Sequence, residues 1–386
     1  MSDMIPYGRQ YIDKEDINAV ISVLRGDFLT TGPSIEKFED SVAKYVDAKY
    51  AVAFSSGTAA LHGACYVAGI NEGDEVITSP MTFAASSNCI LYQKATPIFA
   101  DIDKRTNNID PVEIKKNISD YTKAIIPVDF TGQPCDLDEI VKIAKNHDLI
   151  IIEDAAHALG ATYKNRKIGS ISDMTMFSFH PVKHITTGEG GIITTNNREY
   201  YEKLLAFRSH GITRDRSKLS EDHGPWYYEM QFLGYNYRMT DLQAALGISQ
   251  INKSDYFLKR RTEIANKYNQ GFTNIPEVER PYRPEFNSNS WHLYVIRLRL
   301  EKLKVDRKTI FEELRNKSIG VNVHYIPVYY QPYYKELDYK KGICPNAESL
   351  YEEIISLPLF PSMTDADIKY VIETVKDTVL RFSIRG

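Results

Sequence analysis

The chain has 386 residues, 43% of them hydrophobic and 25% charged, which is enough apolar material for sizeable cores. Its formal net charge of −4 excludes the basic face that nucleic acid requires, and no apolar run reaches the roughly 18 residues of a membrane span. Four scattered cysteines without a Cys-x-x-Cys pair, and a start lacking signal-peptide character, predict a reduced, cytoplasmic protein of two or three domains.

Two amphipathic helices are predicted first. Asp13 caps one, with Ile17, Val20, Ile21 and Leu24 on a single face. Ser34 is the expected cap of the next, with Ile35, Phe38, Val42 and Tyr45 inward. The connection between them, residues 26–33, is unusually apolar for a surface loop, so it packs or touches a ligand. Strands are then predicted over 50–54, 75–78, 97–101, 124–128, 149–153, 174–179 and 191–195. Several are nearly continuous apolar runs, the pattern of a mostly parallel sheet covered on both faces. Helices over 83–91 and 137–146 intervene, giving an α/β layer architecture. A helix over 198–209 and a polar stretch, 211–230, follow. Thr240-Asp241-Leu242-Gln243 is a capping box for a helix ending near Ile251. A charged helix over 254–268 leads into strands (291–300, 321–325) and helices (306–317, 347–355, 365–380), an α+β pattern. The expected division is a large domain, 1–253, and a smaller C-terminal domain, 254–386.

The chemistry concentrates in four places. Lys183 lies in Phe177-Ser178-Phe179-His180-Pro181-Val182-Lys183-His184-Ile185-Thr186-Thr187-Gly188-Glu189-Gly190-Gly191, between two apolar strands. Burial there disfavours the charged amine, and a neutral amine attacks carbonyls; a loop lysine snorkelling into water is the alternative. Ser55-Ser56-Gly57-Thr58-Ala59-Ala60-Leu61 joins a strand to a helix. Its small residues let backbone N–H groups approach a phosphate, although an ordinary capped turn has the same composition. No Gly-x-Gly-x-x-Gly follows the first strand, so a dinucleotide fold lacks its fingerprint.

Glu153-Asp154-Ala155-Ala156-His157 ends a strand, where open α/β sheets bind ligands. Asp154 suits a protonated ring nitrogen such as that of pyridoxal phosphate, or else caps the next helix. His157, one helical turn on, faces the same ligand or is a satisfied core histidine. Ser178, at another strand end, is placed to share a phosphate with Gly57 and Thr58. Finally, Gly234-Tyr235-Asn236-Tyr237-Arg238-Met239-Thr240-Asp241 puts Asn236 and Arg238 on one face of an extended segment. Arg238 there recognises a phosphate or carboxylate, or pairs with a neighbouring acid. His180 and His184 have no His-Glu-x-x-His context, and no Gly-x-Ser-x-Gly elbow occurs.

These motifs together resemble the fold-type-I, pyridoxal-phosphate-dependent sugar aminotransferases of the DegT/DnrJ/EryC1/StrS family, over essentially the whole chain. The resemblance implies a mostly parallel seven-stranded sheet in a large domain and a smaller α+β C-terminal domain. It implies that Lys183 carries the cofactor as a Schiff base and that Asp154 pairs with the ring nitrogen. Phe83, in Ser79-Pro80-Met81-Thr82-Phe83, matches the aromatic that stacks on the ring. His157 occupies a place often held by Gln, near the phenolic oxygen. Gly57, Thr58 and Ser178 match the phosphate cradle, and Asn236 reaches that phosphate from the neighbouring subunit of a homodimer. Tyr7, the loop Asp27, Phe28, Leu29 and Thr30, Arg238, and His324-Tyr325 match regions around the nucleotide-sugar. The stretch from Phe179 to Gly191 is most similar to the C4 aminotransferases of pseudaminic acid synthesis, which implies a UDP-linked 4-keto-6-deoxy-N-acetyl sugar with L-glutamate as amino donor. C3 or C4 amination of a dTDP- or GDP-linked keto sugar is the alternative, as is a non-catalytic binding or regulatory protein of the same fold. No metal is expected.

Overall fold

The computed structural model describes residues 4–384. Strands Glu75–Thr78, Thr96–Phe99, Thr122–Ile126, Ile150–Asp154 and Met174–Ser178 pair in parallel. Gly191–Thr195 runs antiparallel between Met174–Ser178 and Tyr50–Phe54 and completes a seven-stranded sheet. Successive side chains alternate between two cores: Ile77, Ile125, Ile151, Phe177 and Ile192 enter one, and Val76, Ile126, Ile152, Met176 and Ile193 the other. Two buried faces explain why these strands read as continuous apolar runs. The mostly parallel α/β sheet expected from the sequence is present, with strand limits differing by one or two residues.

The C-terminal part has its own three-stranded antiparallel sheet, Val278–Glu279, Tyr294–Leu298 and Ile354–Leu357, in that order. Helix Ser254–Gly271 serves both regions. Its Phe257 belongs to a core of the large sheet, while Ile264, Ala265 and Tyr268 enter the C-terminal core. Between them, fully buried Arg261 donates to the carbonyls of Trp291, His292 and Leu359 and so fixes the helix to the C-terminal segments.

Several expectations change. Asp13 does cap helix Lys14–Leu24, but Ile17 and Leu24 remain more than half exposed, and the residue this helix buries is Asp16. Asp16 is held by Lys253 and Gln250, so an ion pair anchors this helix where an apolar stripe was expected. Helix Pro33–Tyr45 is not capped by Ser34. Both carboxylate oxygens of buried Asp241 accept from the Gly32 and Ser34 N–H groups, at 2.7 and 2.9 Å. Asp241 stands more than 200 residues away, so no local pattern could reveal it. Residues 321–325 form only an isolated bridge, Asn322 with Ser356, because this segment turns into the cleft. The end of the predicted helix 347–355 becomes strand Ile354–Leu357, whose residues are all buried. Among the described residues no helix is long and apolar enough to cross a membrane.

Backbone closeness at one point fixes the mouth of the sheet. A Cβ on Gly191 would lie 2.6 Å from Gly57 Cα and N, so strand and helix meet without a side chain between them. Gly191→Ala should lower stability by about 1–3 kcal/mol, read as a shifted urea midpoint, because rigid backbone has to move.

Candidate active site

A cleft of about 600 Å³ opens where the parallel strands end at their C-termini, the position at which open α/β sheets take ligands. Tyr50–Phe54 delivers Ser56, Gly57 and Thr58; Glu75–Thr78 delivers Thr82 and Phe83; Ile150–Asp154 delivers Asp154 and His157; Met174–Ser178 delivers Ser178 and Lys183. Tyr7, His324 and Tyr325 close it from the N-terminal and C-terminal segments.

At one end lies the N-terminus of helix Gly57–Val67. Ser56 caps it by accepting from the Ala59 N–H at 3.1 Å. The first N–H groups of a helix have no partner inside it and carry positive potential, so this end favours an anion. A Cβ on Gly57 would sit 3.3 Å from both Met176 Sδ and Ser178 Cβ. Glycine therefore keeps this cradle open beside the Ser178 hydroxyl.

Asp154 is buried at the tip of its strand, where desolvation pushes its carboxyl up. Opposing this, Ser86 Oγ donates to Oδ2 at 2.5 Å, the Ala156 N–H donates to Oδ1 at 3.1 Å, and Lys183 attracts the anion. Lys183 is partly buried at the cleft wall. Desolvation lowers it to about 8, against the pull of Asp154, with the Arg261 guanidinium adding to the fall. A substantial neutral fraction is then available near neutral pH, which the snorkelling alternative does not provide.

His157 is also buried, and no helix lies between it and Asp154; a turn brings the two into one cleft. Its Nε2 is 3.0 Å from the Tyr325 hydroxyl, whereas Nδ1 has no partner. His292 stacks against it with centroids 4.3 Å apart, and His184 stands 5.6 Å from His292. Desolvation holds all three imidazoles well below their ordinary value, so they remain neutral. The Tyr7 ring lies 5.3 Å from His324, whose Nδ1 is 2.8 Å from the Ser356 hydroxyl. Phe83 is 64% exposed and presents a free aromatic face to the cleft, 6.5 Å from the Tyr325 ring. Sequence reasoning missed Ser86 and His292. Neither belongs to a motif, and only the fold brings them here.

Six expected residues lie elsewhere in a single chain. Asp27, Phe28, Leu29 and Thr30 are exposed, as is Asn236, and none of them, nor Arg238, lines the cleft. The loop does meet the chain just beyond Arg238. Thr30 bridges Thr240, and the Asp241 N–H donates to the Leu29 carbonyl at 3.0 Å. No ion pair or side-chain hydrogen bond holds Arg238 among the described residues.

The profile of the DegT/DnrJ/EryC1/StrS aminotransferase family matches residues 10–376. The chain belongs to this family. Within it, the chain is 45% identical to the spore coat polysaccharide biosynthesis protein SpsC of Bacillus subtilis, over 97% of both chains. It is 39% identical to the UDP-4-amino-4,6-dideoxy-N-acetyl-beta-L-altrosamine transaminase of Campylobacter jejuni, over 96% of both. Helicobacter pylori PseC, an aminotransferase involved in pseudoaminic acid biosynthesis, superposes with a TM-score of 0.92 at 33% identity, covering 98% of this chain and 100% of that one. Spr1654 of Streptococcus pneumoniae in its PLP form gives 0.91 at 33%, covering 98% and 99%.

Pyridoxal phosphate is the usual cofactor of DegT/DnrJ/EryC1/StrS aminotransferases, and the cleft fits it. The Gly57 cradle has room that a Cβ would fill, the buried Asp154 carboxylate lacks a cationic ring partner of its own, and His157 Nδ1 is an unpartnered polar atom. A partly neutral lysine completes a set of donors matching a phosphate, a ring nitrogen and an aldehyde.

Two stability measurements check this electrostatic picture on cofactor-free protein. Lysine held below its unfolded value of 10.5 destabilises the fold fully below about pH 8 and not at all above pH 10.5. Lys183→Met should therefore be more stable than the parent at pH 7, by roughly 3 kcal/mol, with the gap closing as pH rises through 8 to 10.5. Tyr325→Phe should lose about 1–3 kcal/mol in urea unfolding, because His157 is then buried with neither nitrogen partnered.

Proposed function

We propose that this chain is a cytoplasmic, pyridoxal-phosphate-dependent transaminase. It moves the amino group of L-glutamate to C4 of a UDP-linked 4-keto-6-deoxy-N-acetyl sugar, releasing 2-oxoglutarate. The reading rests on the pairing of a depressed Lys183 with a buried Asp154 in one cleft at the sheet's C-terminal edge. The named activity of the Campylobacter relative and the pathway of the Helicobacter neighbour support the choice of sugar.

In this reading, bound pyridoxal phosphate supplies an electron sink for the carbanion formed at the substrate's α-carbon. Lys183 would hold the cofactor covalently at its aldehyde carbon. Its amine would move the proton at the donor's α-carbon, and its lowered proton affinity suits it both to take and to return that proton. Asp154 accepts the ring N–H and keeps that nitrogen protonated. Gly57, Thr58 and Ser178 take the phosphate, Phe83 covers one ring face, and neutral His157 addresses the phenolic oxygen. Tyr7, His324 and Tyr325 line the sugar side. Asn236 and Arg238, with the Asp27–Thr30 loop, complete the cleft of a second copy in a homodimer, which accounts for their position outside their own cleft. Residues 1–253 form the cofactor domain and 254–386 the smaller one.

Purified protein loaded with pyridoxal phosphate should show a visible absorbance band that borohydride bleaches while fixing the cofactor to Lys183. Lys183→Ala should yield no covalent adduct by mass spectrometry and lose at least about 10³-fold in turnover. With glutamate and the UDP 4-keto sugar, 2-oxoglutarate and a 4-amino sugar should form in equal amounts. Turnover confined to a dTDP- or GDP-linked keto sugar would transfer the assignment to the alternative substrate.

A further inference from the structure

Ser86 lies in the first turn of helix Ala85–Tyr92 and is fully buried, as is Thr82 just before that helix. Its hydroxyl has three possible partners: Asp154 Oδ2 at 2.5 Å, Thr82 Oγ1 at 2.6 Å, where either hydroxyl can donate, and the Phe83 carbonyl at 3.3 Å. A hydroxyl has one proton to donate. The ionised carboxylate is the nearest and strongest acceptor, so the proton goes to Asp154. Ser86 oxygen is then left to accept from Thr82, which sets a directed chain, Thr82 to Ser86 to Asp154. The helix does not depend on this hydroxyl, because the Ser86 N–H already donates to the Phe83 carbonyl at 3.2 Å.

We propose that Ser86 is a positioning residue for Asp154: its hydroxyl, polarised by Thr82, fixes Oδ2 and holds the carboxylate ionised and aimed at the cofactor's ring nitrogen. The inference rests on the reading of Asp154 given above. The Ala156 N–H occupies Oδ1 from the opposite side, so the two donors together fix the plane of the carboxylate. Phe83, whose carbonyl also lies beside the Ser86 hydroxyl, is the aromatic offered to the same ring. One small polar residue thus sits between the group that pairs with the ring nitrogen and the group that covers the ring.

Lys183, Glu153, Cys89 and Tyr325 are the other titratable groups whose charge interacts with Asp154. None of them replaces a hydrogen bond to Oδ2. With Ser86→Ala, a buried anion keeps one donor of two and its carboxyl titrates at higher pH.

The test compares cofactor-stripped parent, Ser86→Ala, Ser86→Thr, Thr82→Val and Asp154→Asn, each titrated with pyridoxal phosphate across pH. The dissociation constant is read by fluorescence, and fold integrity by thermal melting. Ser86→Ala should weaken binding about tenfold to a hundredfold at neutral pH, the range for a hydrogen bond to a charged group. It should also move the acid-side midpoint of binding to higher pH, and Ser86→Thr should restore both. Thr82→Val should shift the midpoint the same way by less. A merely structural serine would lower the melting temperature of Ser86→Ala and leave the midpoint where the parent has it. That outcome overturns the proposal, as does equal loss in Ser86→Thr with the melting temperature retained. Weak binding in Asp154→Asn with parental binding in Ser86→Ala overturns the role of Ser86 alone. No binding by the parent overturns the cofactor reading itself.

Discussion

A carboxylate buried at the end of a central strand is costly in isolation, because desolvation favours its neutral form. Asp154 occupies that position, and much of the cleft answers it. Lys183 supplies the opposite charge, the Ala156 N–H and Ser86 hydroxyl supply hydrogen bonds, and Thr82 polarises Ser86. The same burial works in reverse on the lysine. Desolvation and the buried Arg261 lower it more than Asp154 raises it, leaving it near 8. Burial therefore acts on both groups in one cleft for the same physical reason, raising the acid and lowering the amine.

That arrangement requires close backbone approach around it. Gly191 against Gly57 lets the antiparallel strand pass the helix start, and the absent Cβ of Gly57 leaves space beside Ser178. Arg261 then locks helix Ser254–Gly271 to the carbonyls of Trp291 and His292, which holds His292 against His157 in the cleft wall. The fold and the electrostatics of the site are consequently not separable. The guanidinium that fixes this helix to the C-terminal segments also acts on the proton affinity of Lys183.

Much of this was legible in residue order. A continuous apolar run reveals a strand buried on both faces, as in Ile150–Asp154, and a capping box such as Thr240–Gln243 is a purely local device. What escaped was non-local. Asp241 caps a helix that precedes it by some 200 residues, and Asp16 rather than the apolar stripe anchors the first helix. The exposed Ile17 and Leu24 show that amphipathic spacing identifies a helix without saying what covers its face.

By itself the sequence determined the sheet and the family and singled out Lys183 and Asp154, since these depend on short-range patterns: apolar runs, glycines, and a lysine and an acid at strand ends. Only the tertiary structure decided their electrostatic condition. Whether Lys183 is neutral, whether Asp154 is held from two sides, and whether Asn236 and Arg238 reach their own cleft all depend on desolvation and on distance between segments remote in the chain. Those quantities are set by how chain segments pack, and no local pattern encodes them.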